Sequence, residues 1–225
     1  MRPPLTSRRL AYMALLVAVC LAGAYAPRPP DFEVQTLGIF GAGVLLGARD
    51  GALVGGLTML VYSLLNPYGP AHPLVTASQL LGQVPAGLAG GFFAALGLQG
   101  RPVVVRGVAL AGLALVLTFW FDLVTNVATG LVFGQMRVVL LQGIPFALWH
   151  TGSNVLLFVL LGTPLVAVFG RYRARLSSRR SPCPRRAGRP RRPGLPRSRV
   201  RGCRTRSRGG ASRDAPAGCP GPGSA

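Results

Sequence analysis

The chain has no lysine, and only five of its 225 residues are acidic. A physical pressure for positive charge draws on both basic residues, so an all-arginine complement reads as coding bias rather than an arginine-specific function. So few acids leave no pair of carboxylates at helical spacing for general acid-base work. The four cysteines form no C-x-x-C pair and have no nearby histidines to complete a zinc site, which excludes a disulfide framework or structural metal and leaves reduced, inert thiols. A P-loop, H-E-x-x-H and G-x-S-x-G are missing too, and the C-terminal Gly-Pro-Gly-Ser-Ala is no prenylation box. The chain reads as a non-enzyme with no cofactor and no metal. Any uphill transport by it needs energy from another subunit or an ion gradient.

What is present is apolar. Half of the residues are hydrophobic and the mean hydropathy is +0.43, yet the formal charge is +20. Both hold only if charge is segregated. Of the 25 arginines, 17 lie from Arg171 onward with Asp214 as the only acid there, which leaves 8 arginines against 4 acids before it. Residues 1–170 therefore read as an apolar body and 171–225 as a strongly basic tail. From Ser177 onward the tail is Arg, Pro, Gly and Ser, too poor in apolar surface to offset its ordering entropy, so disorder is expected. Without interleaved aromatics it points to anionic lipid headgroups and to no nucleic-acid partner.

A hydrocarbon core of about 30 Å takes roughly 20 helical residues. Six apolar runs qualify: Leu10–Ala26, Val34–Ala48, Gly51–Asn66, Pro73–Leu98, Val103–Phe133 and Val138–Gly170. The second and third are short and meet at Arg49-Asp50, the pattern of a tight helical hairpin. The last two exceed one bilayer thickness, and Pro145 and Pro164 are the expected kink points. Leu10–Ala26 also has the look of a signal peptide, with Arg8-Arg9 ahead of it and Ala24-Tyr25-Ala26 behind, but Pro27 at the cleavage position favours a retained helix. Arginine placement sets the orientation. Arg2, Arg8, Arg9, Arg49, Arg101, Arg106, Arg171, Arg173 and Arg175 all fall on one side of a six-span fold, whereas Arg28 and Arg137 fall on the other. The expectation is an all-α integral membrane protein with six transmembrane helices and both termini cytoplasmic.

Three of these runs carry polar residues at i,i+4 spacing: Gln79 and Gln83, Asp122 and Asn126, His150 and Asn154. Asp122, with Thr118 on the same face, is the only acid in its span. An ionisable group in hydrocarbon is costly unless it faces a partner or a wet cavity, so it is a functional-site candidate. No embedded basic partner for it is evident; a ligand, Tyr62 or partial protonation are the alternatives. Counting at about 1.5 Å per residue places all three stripes in the outer half of the membrane. Gln79 and Gln83 also fit interhelical hydrogen bonding, and His150 also fits an interfacial role. Trp120 points away from Asp122 on the helical wheel. Read as one pocket, a carboxylate and several amides suit a neutral or cationic polar heterocycle.

Small residues also recur at every fourth position. Gly43, Gly47, Gly51 and Gly55 suit close packing within the chain, while Ala14, Ala18, Ala22 and Ala26 suit either internal packing or contact with another subunit.

Several runs together resemble the substrate-binding S component of energy-coupling-factor (ECF) transporters. They are F-E-V-Q-T-L at Phe32–Leu37, G-x-L-L-G-A-R-D-G-A at Gly43–Ala52, V-Y-S-L-L-N-P-Y-G-P at Val61–Pro70, F-D-L-V-T-N at Phe121–Asn126 and G-I-P-F-A-L-W-H-T-G-S-N at Gly143–Asn154. The resemblance covers Leu10–Gly170. It implies a six-helix subunit that captures a vitamin or related micronutrient in an outer-facing pocket and docks on a transmembrane scaffold subunit driven by two ATPase subunits. It also implies docking through Ala14, Ala18 and Ala22, and a loop, Pro27–Glu33, that helps cover the pocket. Val34–Leu37 is similar to biotin-specific members and Asn66–Pro73 departs from them, so substrate identity does not transfer. A self-contained secondary transporter with Asp122 as its proton site is the alternative, and a membrane scaffold without a ligand is a third reading.

Overall fold

The break between the second and third apolar runs falls at Gly47, two residues before the expected Arg49-Asp50 turn. Gly47 has φ of 100°, a conformation that glycine adopts without steric cost. It ends α2 (Gln35–Leu46) and starts α3 (Ala48–Leu64). Arg49 and Asp50 thus belong to the first turn of α3, where an acid complements the helix dipole. Asp50 is buried there and pairs with Arg9 of α1 (Ser7–Tyr25).

The computed structural model describes residues 7–26, 33–67 and 69–178, all within one unit of the chain, and among them there are helices but no strands. After α3 come α4 (Pro73–Ala95), a 3-10 turn at Leu98–Gly100, α5 (Val103–Phe133) and α6 (Met136–Leu157). A π turn at Phe158–Gly162 then joins α6 to α7 (Thr163–Ser178). Three helical stretches are long and apolar enough to cross a membrane: Ser7–Tyr25, Val103–Phe133 and the joined Met136–Arg173. Exposed leucine, valine and phenylalanine side chains stud the outer faces, among them Leu57, Val116, Phe119, Leu141 and Leu148. That is the surface of a bundle built for an apolar solvent.

After Gln35 and Thr36 helix α2 is apolar all round, and it lies in the middle, in contact with α1, α3, α4 and α7. Its Phe40 is fully buried and packs against Phe93 of α4 and Phe158 of the π turn, with ring centroids 5.5 and 5.4 Å apart. Glycines let α2, α3 and α4 approach this closely. A methyl group on Gly90 would collide with the Phe40 carbonyl oxygen, and one on Gly87 with the Gly51 carbonyl oxygen. The Gly43, Gly51 and Gly55 steps face α4 in this seam; Gly47 makes the turn instead. The alanine ladder behaves differently. Met13, Cys20 and Ala24 are the buried face of α1, while Ala14, Ala18, Ala22 and Ala26 are exposed.

Prolines shape the remaining helices. Pro85 in α4 has no N–H to give the Leu81 carbonyl, and the Trp120 indole of α5 donates to that oxygen instead, at 3.1 Å. Pro145 lies inside α6 without interrupting it. The irregularity sits at the π turn, directly before Pro164, where widening the helix accommodates a proline ring that would clash with the carbonyl four residues earlier. Beyond it α7 runs on as helix past Gly170 to Ser178, further than the sixth apolar run suggested. Arg173 explains part of this, since its guanidinium donates to the Val44 carbonyl at the end of α2, at 3.0 Å. The tail after Ser178 and the loop segment 27–32 lie outside the described residues.

The glycine seam is testable. Gly87→Val is expected to destabilise the protein by about 3 kcal/mol or more, because backbone rather than a movable side chain blocks the new atoms. Gly112→Val, where nothing lies within 4 Å, is expected to be neutral. Thermal denaturation of the purified full chain in detergent compares the two; equal midpoints would remove the seam from the account.

Candidate functional site

His150 sits between two carboxylates. On α6 it is 3% exposed, with Nδ1 2.8 Å from Asp122 Oδ1 of α5 and Nε2 3.1 Å from Oε2 of Glu33, just before α2. Phe121 and Phe146 flank the imidazole, with ring centroids 6.4 and 5.6 Å away. The embedded partner that Asp122 lacked in sequence is therefore His150, and Tyr62 instead stacks against Tyr25 at 5.6 Å. Gln83 of α4, also buried, extends the network. Its Nε2 donates to Thr36 Oγ1 at 2.9 Å and to Glu33 Oε1 at 3.4 Å. One turn deeper, Asn154 Nδ2 donates to Thr118 Oγ1 at 3.1 Å, and both residues are buried.

Four elements thus meet through polar side chains at one level: the start of α2, and the bodies of α4, α5 and α6. Each is placed by local causes. The seam brings α4 against α2 and α3, so Gln83 can reach Thr36; a methyl on Gly55 would lie 2.9 Å from the Gln83 carbonyl oxygen. Gly82, the residue before Gln83, leaves room for the Phe121 ring, which sets α4 against α5 beside Asp122. On α6 the spacing of four residues puts His150 and Asn154 on one face, and the same spacing on α5 pairs Thr118 with Asp122.

Of the six residues picked from the sequence, Asn154 pairs only with Thr118, a turn deeper, while Gln83, Asp122 and His150 belong to one hydrogen-bonded set. Gln79 and Asn126 do not. Gln79 Oε1 lies 2.6 Å from the Ser63 hydroxyl of α3, and Asn126 packs on Gly143, where an added methyl would meet its amide at 2.8 Å. Glu33 and Thr36 are the members that sequence reasoning passed over, Glu33 having counted only as the end of a loop expected to help cover the pocket. A usable signal existed: an acid just before an apolar helix whose first two residues, Gln35 and Thr36, are polar. The other histidine, His72, is accounted for as the N-cap of α4, accepting from the Leu74 N–H at 3.2 Å.

Three buried oxygens of these residues have no hydrogen-bond partner: Asp122 Oδ2 and Gln83 Oε1 in the set, and Asn154 Oδ1 in the pair beside it. Leaving such groups unmet costs about 1–3 kcal/mol each, more for a charged one. Among the described residues, no group of three or more His, Cys, Asp or Glu is arranged to hold a metal ion. Chemically the arrangement offers hydrogen-bond acceptors and negative charge, held rigidly within a low-dielectric bundle.

No protein-family model and no curated protein matches the chain. Its own geometry is what speaks to its role.

Breaking a buried ion pair by deleting one partner costs about 3–5 kcal/mol. His150→Ala should lower stability by about that amount in the native background, and by clearly less when Glu33→Gln and Asp122→Asn are already present. Melting of the four proteins in detergent measures the coupling; the same loss in both backgrounds would mean that the imidazole does not bridge the acids energetically.

Proposed function

We propose that this chain is the substrate-capture membrane subunit of an ATP-driven ECF-type importer, taking up a small vitamin-like molecule. The observation that carries this reading is the buried network around His150, with acceptors on α4, α5 and α6 left for a ligand to meet. In this reading α1 to α5 each cross the membrane once, with α6 and α7 together forming a sixth crossing. Arg9, Arg106 and Arg173 then face the cytoplasm of a bacterial cell and the His150 network faces outward. The exposed Ala14, Ala18 and Ala22 form a smooth strip on a helix whose other face is already packed, which suits docking on a transmembrane scaffold subunit. The chain carries no catalytic constellation, so the energy comes from two ATPase subunits bound to that scaffold. The basic tail contacts anionic lipids.

Purified full chain screened by thermal shift against a vitamin panel, followed by calorimetry on the hits, tests capture. Asp122→Ala should weaken binding of the hit by about tenfold or more, the worth of a hydrogen bond to a charged group, while the protein still inserts. Unchanged affinity would place the ligand elsewhere. Leucine at both Ala14 and Ala18 should spare binding but stop ATP-dependent uptake in cells supplying the scaffold and ATPases; full uptake would refute the docking face.

One observation favours a second reading. Carboxylate, imidazole and carboxylate in series are the parts of a proton relay, as a proton-coupled secondary transporter requires. Uptake that persists without ATPase partners and collapses with the proton gradient would select it.

A further inference from the structure

We infer that the molecule bound at the His150 network is a cation presenting N–H donors in a plane, an amidinium-like group; this rests on the capture reading and narrows its substrate class. Proton counting comes first. The two contacts of His150, at 2.8 and 3.1 Å, each hold one proton if both are hydrogen bonds. An imidazole ring and two carboxyl groups sharing two protons carry a net charge of −1, whichever atom owns each proton. Asp122 and His150 are buried and the Glu33 side chain is only 14% exposed, so that charge has little water to screen it. Nor does an arginine cancel it among the described residues: neither Glu33 nor Asp122 is paired with one there. Arg106, on the same helix as Asp122, is sixteen residues away, about 24 Å along the axis, and donates to the Gln99 carbonyl.

Hydrogen-bond polarity points the same way. Gln83 turns its Nε2 to a carboxylate and a threonine, which leaves Oε1 as the free end. Asn154 spends its Nδ2 on Thr118 and leaves Oδ1, and Asp122 spends Oδ1 on His150 and leaves Oδ2. The three atoms left without any partner all accept, and the donors still open are the second Nδ2 hydrogen of Asn154 and the Thr36 and Thr118 hydroxyl protons. An anion would add to the negative charge and leave all three acceptors unmet. A neutral carboxamide could donate once or twice but would leave the charge unmet. An amidinium answers both, with several N–H groups in a fixed plane.

Matched triplets decide the matter: benzene, pyridine and indole rings, each bearing an amidinium, a carboxamide or a carboxylate. Their affinities are read by thermal shift and calorimetry on the purified full chain, beside the vitamin panel. The amidinium of each binding triplet should bind about tenfold or more tighter than its carboxamide, and the carboxylate not measurably. Asp122→Asn should erase most of that preference. Gln83→Leu, which removes an acceptor and no charge, should weaken the amidinium while keeping the order, so the test survives if Asp122→Asn misfolds. A carboxamide or carboxylate that binds as well as its amidinium, or a neutral or anionic vitamin whose binding depends on Asp122, overturns the inference and leaves capture standing. Silence from both sets overturns both.

Discussion

One imidazole held between two acids organises this molecule. His150 joins residues 117 and 28 positions away along the chain, and by doing so it fixes the start of α2 against the bodies of α5 and α6. In water such a bridge would be worth little. Inside an apolar bundle its absence would strand two carboxyl groups, which makes it a condition of the fold as much as a feature of the site. The cost of keeping charge there is what a purely structural bundle would avoid, since apolar side chains of the same volume would pack at least as well.

The bridge can exist only because the helices around it come close enough. Glycines at 43, 51, 87 and 90 remove the side chains that would hold α2, α3 and α4 apart. With the backbones in near contact, the short amide of Gln83 spans to Thr36 and Glu33. The price appears as a narrow tolerance for substitution along one seam, while the outer faces accept almost any apolar residue. Close packing and the buried polar network are thus carried by different residues of the same helices.

Much of this was legible in the sequence, for physical reasons that also explain the rest. Helix α5 was expected over Val103–Phe133 and found there, because Pro102 and Gly134 punctuate an unbroken apolar run. Polar faces at i,i+4 spacing were visible since helical geometry is local. Pairing between faces was not, as nothing in a sequence says that Asp122 should meet His150 rather than Tyr62. Gln79 and Asn126 illustrate the same limit: each shares a face with a network member, yet sits a turn further along and meets Ser63 or Gly143 instead. Glu33 was hidden differently. A single acid beside an apolar run looks the same whether it marks a membrane edge or turns inward. The hairpin turn was misplaced by two residues because charge suggested the loop, when the backbone freedom of Gly47 decided it.

Helix α2 ties the two ends of the bundle together. It is central and short, and buried peptide dipoles are poorly compensated by solvent. A carboxylate, Glu33, precedes its N-terminus, and the Arg173 guanidinium caps the Val44 carbonyl near its C-terminus, each the sign that the dipole favours. Both ends of α2 are engaged by the last helical stretch, through His150 on α6 and Arg173 on α7. Those two residues flank the π turn, which inserts one extra residue and so rotates everything after it by about 100° relative to a regular α-helix. Without that rotation, a helix with His150 aimed at Glu33 would turn Arg173 away from α2. The distortion before Pro164 is therefore what lets one continuous stretch hold both ends of the central helix, and it does so while seating Phe158 against Phe40 midway between them.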